Sequence, residues 1–271
     1  MDVQYLTNIA IKAALAAGSI IQKSMKEAIA VQHKEGGSTL ASQVVTAVDL
    51  ECEQTILKHL VPTCQKFDLG LLTEETEDDQ SRFRKNYFWC VDPLDGTLAF
   101  IHKHPGFSVA IALVAKDGTP QIGVVYNPST ENLYHAIKDH GAFKNGKPWK
   151  LKTLNNYLTY VTDKKLADTP NKATIEEILK EKVTSLHLKN FQEMAGAGAV
   201  CNAILVAEHA PALFVKLPKK EKGGGSIWDF AATACIFKEL GLQATDFYGK
   251  PLDLNKKGSA FMNDDGVLYT A

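Results

Sequence analysis

The sequence predicts a mixed α/β (α+β) protein whose first sheet is largely antiparallel. Residues 3–30 read as one long helix, because Leu6, Ala10, Ala13, Ala17 and Ile21 recur at three- and four-residue spacing, and a second helix follows at about 47–60. Between Phe107 and Lys144, short apolar runs are separated by turn dipeptides, which makes them adjacent antiparallel strands rather than βαβ units. From about residue 153 the pattern restarts, with strands and helices interleaved. Two halves are expected, 1–152 and 153–271.

A chain of 271 residues, 45% hydrophobic and of net charge −1, can bury a large core. There is no basic excess to suggest nucleic acid or an anionic membrane as partner. Lys12, Lys23 and Lys26 interrupt the first apolar stripe, so it is not read as a signal peptide. No stretch approaches the roughly 20 apolar residues of a membrane span. The five cysteines include no C-x-x-C pair, which argues against a zinc site and favours buried, reduced thiols in a cytoplasmic setting.

Along the chain, the alanine-rich first helix predicts a close neighbour. Gly36-Gly37-Ser38 marks a loop. Thr46 opens the second helix with Asp49 three residues on, the spacing of a capping box. Asp49 therefore reads either as that cap or as a site residue. A strand within Phe67–Thr73 ends at Glu74-Glu75-Thr76. Glu77, Asp78 and Asp79 read as a solvated acidic face. Glu74 differs in ending a buried strand, where α/β sites gather.

The run Tyr87–Val91 then leads into Asp92-Pro93-Leu94-Asp95-Gly96-Thr97. Pro93 disfavours the α region for Asp92, so Asp92 is expected to end the strand. The carboxylates of Asp92 and Asp95 then enter one space, where they repel unless a cation or a proton intervenes. A rigid oxygen-rich site suits Mg²⁺. Gly96 permits close backbone approach, and the following amides can open a helix toward a phosphate. An isolated D-P-x-D-G also reads as turn chemistry.

Strands follow at Phe107–Ala115, Pro120–Asn127, Asn132–Ile137 and Ala142–Lys144. His102 and His104 read as solvated loop histidines rather than ligands. Past residue 153 come a strand at Tyr157–Thr162, a helix near Ala173–Lys182, and strands at Ser185–Leu188, Ile204–Val206 and Ala212–Val215. Ala195–Ala199 lacks a phosphate-loop pattern and is read as a close-packing run. Lys219–Gly225 is a basic, Gly-rich loop that either supplies cations to a ligand or is plain surface. Trp228-Asp229 opens a helix to Leu240, stopped by Gly241. Asp229 either offsets the helix dipole or faces another element.

Four separated pieces resemble one family. T-A-V-D at 46–49, L-T-E-E-T at 72–76, D-P-L-D-G-T at 92–97 and W-D-F-A-A at 228–232 match, in order and spacing, the motifs of the inositol monophosphatase-like, Mg²⁺-dependent and lithium-sensitive phosphatases. The resemblance covers nearly the whole chain and implies a layered αβαβα sandwich. It implies two or three Mg²⁺ held by Glu74, Asp92, Asp95, Asp229 and the Leu94 carbonyl, with Asp49 serving an outer metal and its waters. Most of these ligands fall in the first half; Asp229 completes the set from the second. Thr97 would help Glu74 deprotonate the attacking water. The Gly96 and Thr97 amides would hold the phosphate, with Asp95 and Asp229 also facing the substrate. No Ser/His or Cys/His pair suggests a covalent route.

Within that family, three details resemble 3′(2′),5′-bisphosphate nucleotidases. Phe100-Ile101 behind the central motif, Leu205-Val206-Ala207-Glu208 and Gly249-Lys250-Pro251-Leu252-Asp253 match their segments. Leu98-Ala99, His209, Pro211-Ala212, Phe214, Asn202 and Gln43-Val44 depart from the pattern without touching a metal ligand. The implied activity is removal of the 3′-phosphate from 3′-phosphoadenosine 5′-phosphate. The alternatives are an inositol or other sugar phosphate as substrate, and a catalytically lapsed metal- and nucleotide-binding sensor. The resemblance is also consistent with a homodimer.

Overall fold

The computed structural model describes residues 1–26, 31–33, 44–151 and 156–271. Helix α1 spans Val3–Ser24 and α2 spans Ala47–Phe67. Between them β1 (Val31–His33) pairs antiparallel with β2 (Val44–Thr46). Gly36-Gly37-Ser38 and Gln43 lie outside the described residues. The first helix is shorter than expected: it stops at Ser24, with Met25 as its C-cap. The second is longer, running through Pro62 to Phe67. Leu60 and Thr63 stay buried there, and the Trp89 indole donates to Thr63 Oγ1 at 2.8 Å, so the helix remains docked on both sides of Pro62 although that residue has no N–H.

The main sheet comprises β3 (Gly70–Thr73), β4 (Tyr87–Asp95), β5 (Ser108–Ala115), β6 (Pro120–Asn127), β7 (Asn132–Ile137), β8 (Gly141–Lys144) and β9 (Lys147–Pro148), in that spatial order. All its neighbours are antiparallel except β3 and β4. A five-residue helix, α3 (Thr97–Ile101), follows β4. The second sheet has the order β11-β10-β12-β14-β13, from β10 (Leu158–Thr162), β11 (Phe191–Ala195), β12 (Ala212–Lys216), β13 (Gln243–Thr245) and β14 (Val267–Thr270). Its helices are α4 (Lys172–Ser185), α5 (Ala199–Glu208) and α6 (Ile227–Glu239).

Strand alternation builds the layers. Val109, Ile111 and Leu113 of β5 face α1 and α2, while Ala110, Ala112 and Val114 face α5 and α6. In the second sheet Ala212 and Phe214 face that same central helical layer, and Leu213 and Val215 face α4. The result is the αβαβα sandwich. Two glycines allow its close contacts. A Cβ at Gly18 of α1 would meet the Tyr126 ring at 2.2 Å, and one at Gly123 of β6 would meet the Ala232 carbonyl of α6 at 2.2 Å. The first of these is the close neighbour that the alanine stripe predicts.

Two expected strands are not strands. Ile204–Val206 lies inside α5, because an apolar run without alternation reads the same in a buried helix. Ser185–Leu188 is the end of α4 and a turn in which His187 has φ 54°; the strand comes later, at β11. Among the described residues no helix is long and apolar enough to cross a membrane.

Candidate functional site

The site gathers at the carboxyl ends of β3 and β4 and the amino ends of α2, α3, α5 and α6. β4 does not end at Asp92; it continues to Asp95, and its pairing with β5 shifts between those two residues. Pro93 has no N–H for the ladder, so a local irregularity is the way past it. Across that irregularity Asp92 Oδ1 accepts the Leu94 amide at 3.0 Å.

One ligand oxygen each from Asp92, Asp95 and Asp229 lie within 4.8 Å of one another. Asp92 and Asp95 are 1% and 5% exposed. Each of the three is held by a different device. Asp95 takes two amides from the start of α5: Ala199 N–H to Oδ1 and Val200 N–H to Oδ2, both 3.0 Å. Asp229 sits in the first turn of α6 and forms a capping box with Ser226. Its sequence reading as a helix-end residue and its position in the cluster both hold.

Asp49 joins at the rim. The Thr46–Asp49 capping box is present, with Thr46 N–H to Asp49 Oδ2 at 2.7 Å. The Thr97 hydroxyl lies 3.1 Å from both Asp49 Oδ1 and the Leu94 carbonyl, and its single proton serves one of them at a time. So Asp49 is cap and site neighbour at once. The Glu74 charge is felt at Asp49, Asp92, Asp95 and Asp229, which brings it into the same group.

The electrostatics are those of a cation site. Burial raises Asp92 well above the usual carboxylate range, and the charges of Glu74, Asp229 and Asp95 raise it further. Asp95 is also raised well above it, by burial and then the Asp229 charge, against the lowering pull of the α5 amides. Asp229 is pushed up to about 6 by burial and then Glu74, despite its Ser226 amide. Burial likewise raises Asp49. Several buried carboxylates this close are stable as anions only when positive charge stands among them. The donors are hard oxygens, so the residues fit a divalent cation such as Mg²⁺.

Glycines fix the geometry at two points. Gly96 has φ 82°, and a Cβ there would meet the Gly106 carbonyl at 2.5 Å. A Cβ at Gly198 would meet Asp95 Oδ2 at 2.2 Å. Ala195–Ala199 is thus a close-packing run, as expected, and what it packs against is a site carboxylate. The amides of Ala199 and Val200 escaped the sequence reading; the small-residue run just before a helix was the available signal.

His102 and His104 are exposed, in keeping with their solvated reading. Asp78 is a correction: it is not plain solvated surface but pairs at 2.6 Å with Arg82, which is 2% exposed. The segments that lean toward nucleotidases serve packing. Phe100 stacks edge-on with Phe107 at 5.6 Å, Glu208 ties Tyr134 and Lys144 to α5, and Pro251 bridges Thr245.

An αβαβα sandwich with a buried all-carboxylate centre at a strand–turn–helix defines the class of metal-dependent phosphatases. The profile of the Inositol monophosphatase family matches residues 2–270, and the chain belongs to that family. It is 31% identical over 271 residues to "Inositol monophosphatase 3" of Solanum lycopersicum, covering 97% of this chain and 93% of that protein. It is also 31% identical over 232 residues to "3'(2'),5'-bisphosphate nucleotidase CysQ" of Shigella flexneri, covering 81% and 82%. The solved inositol monophosphatase from Anabaena (Nostoc) sp. PCC 7120 superposes with a TM-score of 0.67 at 25% identity, over 100% of this chain and 92% of that one.

Proposed function

We propose that this phosphatase uses Mg²⁺ to hydrolyse a phosphate monoester whose leaving group carries a second anion, and that 3′-phosphoadenosine 5′-phosphate is its substrate, released as AMP and phosphate. The observation that carries the reaction is the convergence of Asp92, Asp95 and Asp229 beside the Gly96–Thr97 turn.

Glu74, Asp92, Asp95, Asp229 and the Leu94 carbonyl would hold the cations, which when bound supply neutralisation of the phosphate and acidification of a water. The chain's own groups then orient the reaction. Gly96 and Thr97 present amides at the start of α3, where a helix has no internal acceptor for them. Thr97, its hydroxyl held by Asp49, helps align the attacking water, Glu74 takes the water's proton, and the departing ester oxygen takes a proton from solvent. Water oxygen bonds to phosphorus as the bond from phosphorus to the ester oxygen breaks. Nothing covalent to the protein is formed.

The substrate reading is supported by charge beyond the acidic centre. A cavity of about 420 Å³ lies at the carboxyl ends of β10 and β11, lined by Thr162, Asp163, Lys164, Lys165, Glu193 and Ala195. Lys216, at the end of β12, stands 3.6 Å from Asp163, and its charge reaches Asp229. The basic Lys219–Gly225 loop leads straight into Ser226 and Asp229. Lys164 and Lys165 are balanced in that cavity by Asp163 and Glu193, so the support for a second anionic group rests on Lys216 and the Lys219–Gly225 loop. Five free thiols, four of them buried, support a reducing, cytoplasmic setting.

Inositol monophosphate is the second reading, favoured by the name of the tomato relative. Phosphate release from 3′-phosphoadenosine 5′-phosphate and from inositol 1-phosphate, side by side with and without Mg²⁺, separates them. The proposal expects Mg²⁺-dependent release with strong preference for the nucleotide. Preference for the inositol ester would keep the centre and overturn the substrate.

A further inference from the structure

Glu53 lies one helical turn after Asp49 on α2, so the two carboxylates leave the helix on one face. It is 4% exposed. A buried glutamate needs its oxygens satisfied. Oε2 accepts the backbone N–H of Glu75 at 3.0 Å, and Oε1 accepts the hydroxyl of Thr76. The same turn is closed from within by Thr76 N–H to Thr73 Oγ1 at 3.3 Å. On the other side, Glu74 N–H donates to the Val91 carbonyl at 3.2 Å, one residue before Asp92.

We infer that Glu53 is a positioning residue for Glu74: by gripping Glu75 and Thr76 it fixes the turn that presents Glu74 to Asp92 and Asp229. The Glu74 peptide is then held from β4 on one side and from α2 on the other. α2 thereby sets two parts of the site at once, Thr97 through Asp49 and the Glu74 turn through Glu53. A rigid helix carrying both contacts keeps their separation constant while ligands come and go. A mere brace for the fold would change melting temperature and leave the metal requirement alone. Partners that orient a metal-binding residue change metal affinity or turnover by about 10–100-fold when removed.

This inference rests on the phosphatase reading, so its test includes a measurement that needs no turnover. Glu53→Ala removes both bonds. Glu53→Gln keeps one acceptor for the Glu75 amide and offers its own amide to the Thr76 oxygen, so it preserves the grip without the charge. Thr76→Val removes one of the two contacts. Phosphate release titrated with Mg²⁺, thermal melting, and Mg²⁺ binding by calorimetry are compared across wild type and the three variants.

The expected pattern is a kcat lower by about 10–100-fold and a higher Mg²⁺ requirement in Glu53→Ala, with substrate KM little changed. Thr76→Val should fall between, and Glu53→Gln should stay close to wild type. Wild-type kcat and Mg²⁺ requirement in a folded Glu53→Ala or Thr76→Val would overturn the inference. So would a Glu53→Gln as impaired as Glu53→Ala, because charge rather than position would then matter. If Glu53→Ala does not fold, Thr76→Val and Glu53→Gln decide. If the wild type hydrolyses neither ester, the substrate reading fails separately, and calorimetry still decides on Glu53: weaker Mg²⁺ binding in Thr76→Val than in Glu53→Gln supports it, and equal binding overturns it.

Discussion

At the scale of single residues, the carboxylates of the centre oppose the fold whenever no cation is bound. Asp49, Asp92, Asp95 and Asp229 all have pKa values raised by burial, so the folded chain holds protons that the unfolded chain gives up. Stability therefore falls as pH rises. For Asp229 the loss begins near its unfolded value of 3.8 and is complete above about 6; Asp92 and Asp95, also raised by burial and neighbouring carboxylates, act in the same direction. Chelator-treated protein is expected to melt at a lower temperature at about pH 8 than at about pH 5, and Mg²⁺ should recover most of the loss at the higher pH. Calorimetric melts at both pH values, with and without Mg²⁺, check this. A metal-free melting temperature that rises with pH would show that these groups are not buried as anions. The identities of these residues were legible because Pro, Gly and paired Asp obey local rules within D-P-L-D-G-T. Their partners were not. The amides on Asp95 come from Ala199 and Val200, over a hundred positions away, and no local pattern encodes such a contact.

At the scale of elements, legibility followed periodicity. β5, β6 and β7 were readable from apolar runs closed by turn dipeptides, α1 from its stripe and α2 from the capping box that opens it. α5 was not, because Ile204, Leu205 and Val206 are apolar on every side of a helix buried between two sheets. That same helix supplies the amides for Asp95, so misreading it hid half of the second carboxylate's environment. Gly198 is where the two meet. Its backbone, φ −66° and ψ 152°, suits alanine, so the cost of Gly198→Ala is space alone. The added methyl would push the start of α5 away from Asp95, costing about 1–3 kcal/mol. Urea unfolding should show that loss, and Mg²⁺ titration of phosphate release should show a raised half-saturation. A variant with unchanged stability and Mg²⁺ dependence would mean that α5 does not hold Asp95 in place.

At the scale of the whole molecule, five layers place four helix amino ends and two strand ends around one point. The layering came with the resemblance, because β4 and β5 are buried on both faces and only the packed structure shows which helical layer each face meets. The convergence of Glu74, Asp92 and Asp95 with Asp229, from the far half of the chain, was reached through resemblance; only the packed structure expresses it as distance. The central claim is that this convergence is a cation-dependent hydrolytic centre. Asp92→Asn tests it most directly, since it keeps the shape of the side chain and removes the charge. With Mg²⁺ present, phosphate release by that variant should fall to the uncatalysed background, while its metal-free melting temperature matches or exceeds that of the wild type. Near-normal release from a folded Asp92→Asn would contradict the account.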